Sequence, residues 1–379
     1  MKRYIKFFQT HAEYEAFIQT EDFVLPNVTF CNNMPDEVHY NPYVINYTTI
    51  VSLENNNEIK WKCHGNDSSK TISVSTNDGL TWESVTSTTS GVTITTLNRG
   101  DRLLIKGTNS NYASSGDDYS YFATSDKFTL EGNIMSMFYG DNFSDKTELS
   151  SDYALACLFL NCNNLLNAEN LLLPATTLTF ACYSSMFKGC TSLTTAPELP
   201  ATTLSNGCYS YMFNHCTSLT TAPELPATTL GNYCYSGMFQ NCTSLTDTPS
   251  LPATTLADYC YVSMFYGCTS LTTVPTLPAT TLTNHCYQEM FQNCTSLTTA
   301  PELPATTLTD YCYNQMFQGC TKLNYVKCLA TNISASGCTS NWLRDVKRNG
   351  TFVKDASMTT WLRNETGIPS TWTVEDYQE

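Results

Sequence analysis

The sequence predicts an α/β solenoid, a stack of 26-residue coils in which each coil supplies a short helix and a strand of a parallel β-sheet, preceded by a small antiparallel β-sandwich. Three observations predict it. A unit opening Leu-Pro-Ala-Thr-Thr-Leu begins at Leu173, Leu199, Leu225, Leu251, Leu277 and Leu303, with no insertion or deletion between copies. Within each unit the pattern Cys-Tyr-x-x-Met-Phe-x-x-Cys, as at Cys234, Tyr235, Met238, Phe239 and Cys242, falls on an arc of about 140° at helical pitch. Upstream, the segment from Val44 to Leu130 reads as short alternating runs between turn residues.

Taken in order, residues 1–42 form an N-terminal leader or anchor. Thr10 and Glu13 make a capping-box pattern ahead of Tyr14, Phe17 and Ile18, which predicts a short amphipathic helix. Pro26, Pro35 and Pro42 then keep the chain extended. Residues 43–133 form the β-sandwich, with strands in Ile59–Cys63, Thr71–Ser75, Val92–Thr96 and Leu103–Lys106. Asn77-Asp-Gly79 supplies the turn of a hairpin, because Asn, Asp and Gly tolerate positive φ. Arg99-Gly-Asp101 spells an integrin-type tripeptide, but its setting is that of an interstrand turn.

The solenoid occupies residues 134–345. Ser136-Met-Phe-Tyr-Gly140 echoes Ser263-Met-Phe-Tyr-Gly267, so divergent half-repeats lead into the regular array, as expected where a stack must meet something other than itself. Leu193 and Leu178 and their counterparts point inward from two extended segments, leaving Thr-rich ladders outside. Asp247 and Asn324 interrupt one ladder, which argues against an ice-binding face. Residues 346–379 form a C-terminal cap containing Trp361 and Trp372.

Twelve of the 18 cysteines occupy two repeat columns, headed by Cys182 and Cys190. Eight helical residues span about 12 Å, too far for a disulfide within a coil, and matching side chains on stacked coils point the same way. Both columns are read as buried, reduced thiols. The Cys-x7-Cys spacing, with no accompanying histidine column, does not suit zinc, and no metal or cofactor is expected. The net charge of -15 argues against nucleic acid as a partner. No stretch of about 18 apolar residues appears, so no membrane insertion is expected, and the N-terminus lacks an apolar run of signal-peptide length.

The run Met-Phe-x-x-Cys-Thr-Ser-Leu-Thr followed by Leu-Pro, with Gly350-Thr-Phe-Val353 and Gly367-Ile-Pro-x-x-Trp372-Thr-Val374, resembles the BspA-like leucine-rich repeat family from about Ser136 to Val374. The resemblance implies a leucine-rich-repeat-like stack and a non-enzymatic adhesion protein of gut-bacterial or protist surfaces that binds a surface glycan or protein. The absence of a signal peptide departs from that pattern. The leader, with Pro26-Asn-Val-Thr-Phe-Cys31, is similar to N-termini of phage virion proteins, which implies a virion-attached fibre or decoration protein, anchored to a virion structural protein through residues 1–42 and displayed on the virion surface. A bacterial cell-surface adhesin is the alternative.

Variable aromatic positions on the expected helix edge, Tyr211, Tyr233, Tyr259, Tyr266 and Tyr311, are the candidate ligand contacts, since such rings stack on sugars or anchor protein interfaces. No catalytic residue is assigned. His215-Cys216 and His285-Cys286 are adjacent in sequence, but the cysteines belong to a buried column. Asp258, Glu289 and Asp310 lie on the same edge without an acid–base pairing, which leaves a polysaccharide depolymerase as the less favoured reading.

Overall fold

In the computed structural model, residues 47–65, 69–364 and 367–377 are described. The helix expected near Tyr14 and the extended, anchoring leader lie outside them. The first unit contains β1 (Thr48–Ser52), β2 (Asn57–His64), β3 (Thr71–Ser75), β4 (Glu83–Thr86), β5 (Val92–Leu97), β6 (Arg102–Lys106), β7 (Tyr119–Thr124) and β8 (Phe128–Asn133). The four alternating runs coincide with β2, β3, β5 and β6. In β2 the alternation is plain: Ile59, Trp61 and Cys63 are buried between half-exposed Lys60 and Lys62. Trp61 packs on Phe122 and Tyr112, at ring centroid distances of 4.5 and 6.0 Å, and its Nε1 donates to the Lys70 carbonyl.

Residues 76–82 join β3 to β4. Asp78 and Gly79 both adopt positive φ there, and the Asn77 amide closes the loop by accepting from the Thr81 N–H and donating to Thr81 Oγ1. Residues 98–101 form an exposed turn closed by the Asp101 N–H on the Asn98 carbonyl, with Gly100 at φ 89°.

Three features of the expected α/β solenoid and antiparallel sandwich are corrected. First, the larger sheet is not purely antiparallel. Its order is β4-β3-β6-β1-β8-β9, and β9 (Leu165–Leu172), which belongs to the divergent repeats, pairs parallel with β8 from Phe128↔Leu165 to Asn133↔Leu172. The edge that β8 would otherwise leave open is covered by the first coil. The second sheet is β5-β2-β7.

Second, the coils contain no helix. The one α-helix among the described residues is α1 (Ser136–Tyr139), outside the regular array. In the first full repeat the N–H groups of Tyr183, Ser185, Phe187 and Gly189 donate to the carbonyls of Cys208, Ser210, Met212 and Asn214 in the next coil. The alternate N–H groups, of Ser184, Met186, Lys188 and Cys190, donate three residues back within their own coil. Ala181, Ser185 and Gly189 hold positive φ of 51°, 56° and 77°, one residue in every four, and later copies repeat this. The segment is therefore a chain of tight turns locked to its neighbour. The core residues explain why: Cys182-Tyr183, Met186-Phe187 and Cys190 recur at a spacing of four. At 3.6 residues per turn that spacing would drift by about 80° over eight residues, whereas a four-residue turn keeps every pair on one face.

Third, the regular repeats do not build a continuous parallel sheet. Their extended segments meet at isolated bridges such as Thr203↔Thr229 and Thr299↔Tyr325. A true parallel sheet returns only at the C-terminal end, where β10 (Tyr325–Cys328), β11 (Thr351–Lys354) and β12 (Thr373–Asp376) pair in sequence order.

The core runs without a break from the first unit to the last. Phe122 of β7 stacks on Phe159, and Phe187, Phe213, Phe239, Phe265, Phe291 and Phe317 continue the row with centroids 5.6–5.7 Å apart. A second buried row runs from Tyr183 through Tyr313 and ends on Trp342, whose Nε1 donates to the Gly367 carbonyl. All 17 described cysteines are free and buried. Each thiol of the second column donates across the stack, as Cys242 does to the Phe213 carbonyl at 3.1 Å and Cys268 to that of Phe239 at 3.1 Å. Burial pushes these thiols up, to about 12 at Cys242 and Cys320, so they stay protonated and keep the donor.

Candidate functional site

The turn geometry puts one residue of each coil, the first of its three positive-φ positions, in line along the outside of the stack. In four consecutive copies that residue is Tyr233, Tyr259, His285 and Tyr311, at φ of 55–59°. Their rings stack nearly parallel: Tyr233 on Tyr259 at 4.4 Å, Tyr259 on His285 at 4.2 Å, and His285 on Tyr311 at 4.8 Å. This is closer than the buried rows. Tyr233 is 45% exposed and Tyr311 38%. The row is flanked by Gly207 and Gly337, which occupy the same repeat position without a ring.

Left-handed backbone costs about 1–2 kcal/mol at a non-glycine residue. Glycine fills this position in two copies, so the fold does not require a ring there. Three tyrosines and a histidine nevertheless stand in it, and their outer edges meet solvent. Burial against the row, then the neighbouring Tyr259 hydroxyl, raises the Tyr233 phenol. His285 Nδ1 lies 2.5 Å from Gln288 Oε1, which fixes the ring as a donor at Nδ1 and holds it in the stack.

The structure thus brings Tyr233, Tyr259 and Tyr311 together. It does not bring Tyr211 and Tyr266 into that row. Tyr211 occupies the second positive-φ position, at 55°, and its ring covers Gly237, where a Cβ would fall 2.4 Å from Tyr211 Cε1. Lys188 Nζ lies 5.6 Å from the Tyr211 ring centroid. Tyr266 is half-buried three residues beyond Ser263, in register with Lys188. None of the five stands on a helix edge, since the coil has no helix. His285 is the member that reading the tyrosines alone misses; its shared register with Tyr259 and Tyr311 was the available signal.

The carboxylates of Asp258, Glu289 and Asp310 link coils and do not pair with one another as acid and base. Asp258 Oδ1 accepts from the Asn284 N–H and Asp310 Oδ1 from the Ser336 N–H, while Glu289 accepts from Ser263 Oγ and Gln288 Nε2. Cys216 and Cys286 are fully buried, and burial holds both thiols well above their ordinary range, so neither adjacent histidine faces a thiolate. Among the described residues no group of three His, Cys, Asp or Glu side chains is placed to hold a metal ion, and no helix is long and apolar enough to cross a membrane.

An end-to-end array that packs rings of one register inside and carries a separate ring row outside is a stacked repeat protein. A family model described as the BspA type leucine rich repeat region, in six copies, matches residues 157–298 and 238–347, half of the chain. The chain belongs to the BspA-type leucine-rich-repeat family. That family is non-catalytic and generally binds surface ligands, and the chain is a non-enzymatic protein. No curated protein matches it.

Proposed function

We propose that this protein is an adhesin that holds a surface ligand, glycan or protein, against the outside of its repeat stack, with the row Tyr233, Tyr259, His285 and Tyr311 as the principal contact and Tyr211 and Tyr266 beside it. The observation that carries the reading is the exposed row itself: rings kept at strained backbone positions where glycine also serves, stacked so that they lose little rotamer freedom on binding. Rigid tyrosines of this kind supply contact area at low entropic cost.

The test is adhesion of the purified chain to bacterial envelopes and to host cell surfaces, with any captured polysaccharide sized before and after. Retention without shortening is expected, and retention should fall by about tenfold or more for Tyr233→Ala/Tyr259→Ala, the loss of a central aromatic anchor. Full retention by that variant sinks the row as the contact.

In its fuller form the reading makes the chain a virion-attached fibre or decoration protein anchored through residues 1–42, with a bacterial cell-surface adhesin as the alternative. Mass spectrometry of gradient-purified virions and of bacterial envelope fractions separates them: peptides that co-sediment with virions support the first, and peptides confined to the envelope support the second.

A further inference from the structure

The x-Pro-x-Leu-Pro segments of successive coils, Ala-Pro-Glu-Leu-Pro in three of the four concerned and Val274-Pro-Thr-Leu-Pro278 in the other, leave grooves between them. The first, of about 390 Å³, is lined by Ala196, Pro197, Pro200, Ala222, Pro223 and Pro226 and rimmed by the exposed carboxylates of Glu198 and Glu224. The same repeat positions build a second groove of about 430 Å³ further along the stack, with Pro275, Pro278, Pro301 and Pro304 in its walls and Glu302 on its rim. Neither groove has a Lys or Arg among its lining residues.

The chain itself shows what settles on such a rim. Lys327 stands one coil beyond Pro301, at the repeat position that proline fills in the earlier copies. Its ammonium lies 3.0 Å from Glu302, its side chain is only 16% exposed, and the charge also sits 3.8 Å from the Tyr377 ring centroid. Beside Glu198 the equivalent residue is Pro223, and beside Glu224 it is Pro249. Among the described residues neither of these carboxylates has an ion-pair partner. The first groove is therefore a like apolar trough whose rim carboxylates lack the cation that Glu302 has.

We infer that the groove over residues 195–226 takes an extended, lysine- or arginine-bearing segment of a partner protein, with the partner's cation on Glu198 and Glu224 as Lys327 is on Glu302 and its apolar side chains on the four prolines. Charge complementarity selects this occupant: two unanswered carboxylates on a chain of net charge -15 repel an acidic polysaccharide and draw a basic segment. The inference rests on the adhesion reading and narrows its ligand, at this second surface, to protein.

The test uses the full chain and two fluorescein-labelled, end-capped octapeptides, one alternating Lys with Val and the other Glu with Val, read by fluorescence anisotropy at low and raised salt. The Lys-Val peptide is expected to bind and to weaken with salt, and the Glu-Val peptide to stay free. Glu198→Gln/Glu224→Gln should weaken binding about tenfold, the effect of losing charge-assisted contacts. Glu54→Gln/Glu83→Gln, which changes net charge equally at a distance from the groove, should leave it within about twofold. Equal losses in the two double variants overturn the groove as the site. Lys327→Ala should free Glu302 on the rim of the second groove and raise the number of peptides bound per chain; an unchanged stoichiometry overturns the equivalence drawn between the two rims. Cell adhesion by the parent chain without Lys-Val binding defeats this inference alone, whereas peptide binding without adhesion to any surface defeats the adhesion reading and leaves the groove standing.

Discussion

Around Trp61 each contact is made once, by side chains of different kinds: an indole on Phe122 and Tyr112, and nearby the Asn57 amide donating to Ser52 Oγ and to the carbonyls of Asp126 and Lys127. Around Phe239 each contact is a copy of the one a coil away, with like stacked on like and the same thiol reaching the same carbonyl. The first unit is specified by individual side chains and the repeats by register. Damage to the former should therefore be particular to one residue, while damage to the latter should depend on which row is struck.

The sharpest way to break that comparison is to strike the inner and outer rows of one coil. Tyr235 and Phe239 are buried in the stack, so Tyr235→Ala or Phe239→Ala should cost about 3–5 kcal/mol, seen as a lowered denaturant midpoint. Trp61→Ala should cost a similar amount in the first unit. Tyr233→Ala, on the half-exposed outer row, should cost about 1 kcal/mol or less and show its effect in adhesion.

The thiol columns offer the next contrast. Burial raises the Cys182, Cys234 and Cys242 thiols of these columns from an ordinary value near 9 to about 12. The folded state keeps protons that the unfolded state gives up, so the stability these thiols contribute is full below about pH 9 and is lost as pH rises towards 12. Each contributes up to about 1.4 kcal/mol per pH unit in that window, and the unfolding midpoint should fall steeply there. A midpoint flat from pH 8 to 11 would contradict it. In native protein at neutral pH the 17 described cysteines should resist an aromatic disulfide reagent, and denaturant should expose all 18.

A smaller effect is expected at Gly237, whose φ is 57° and whose added Cβ would meet the Tyr211 ring. Gly237→Ala should cost about 1–2 kcal/mol through left-handed strain, with Tyr211 displaced, as measured by thermal unfolding and tyrosine fluorescence.

Much of the repeat region was legible because identical residues at a fixed interval show which side chains share a row. The inward leucines and both buried cysteine columns follow from it. The helix did not follow, because Cys-Tyr-x-x-Met-Phe-x-x-Cys fits one face at 3.6 residues per turn nearly as well as at four. What separates the two is the residue just ahead of each buried pair or cysteine: Gly at 189, 207, 237, 267 and 319, and Asn at 241 and 293, mark the left-handed positions. In the first unit, alternation located strands such as β2 and β3, but no local pattern showed that β9 would close the sheet from the repeats, since parallel pairing across some 35 residues leaves no turn signal. Of the candidate site, the tyrosines were visible as variable positions, but the stacking partner His285 needed the coil's register.

The most direct test compares Tyr235→Ala with Tyr233→Ala/Tyr259→Ala in a single adhesion measurement, made on folded protein at a temperature below both unfolding transitions. The account predicts that the inner-row variant, where it folds, still adheres, and that the outer-row variant, close to full stability, does not. Adhesion that survives loss of the outer row, or that vanishes with the inner row alone while the fold persists, would contradict the assignment of binding to the exposed rings.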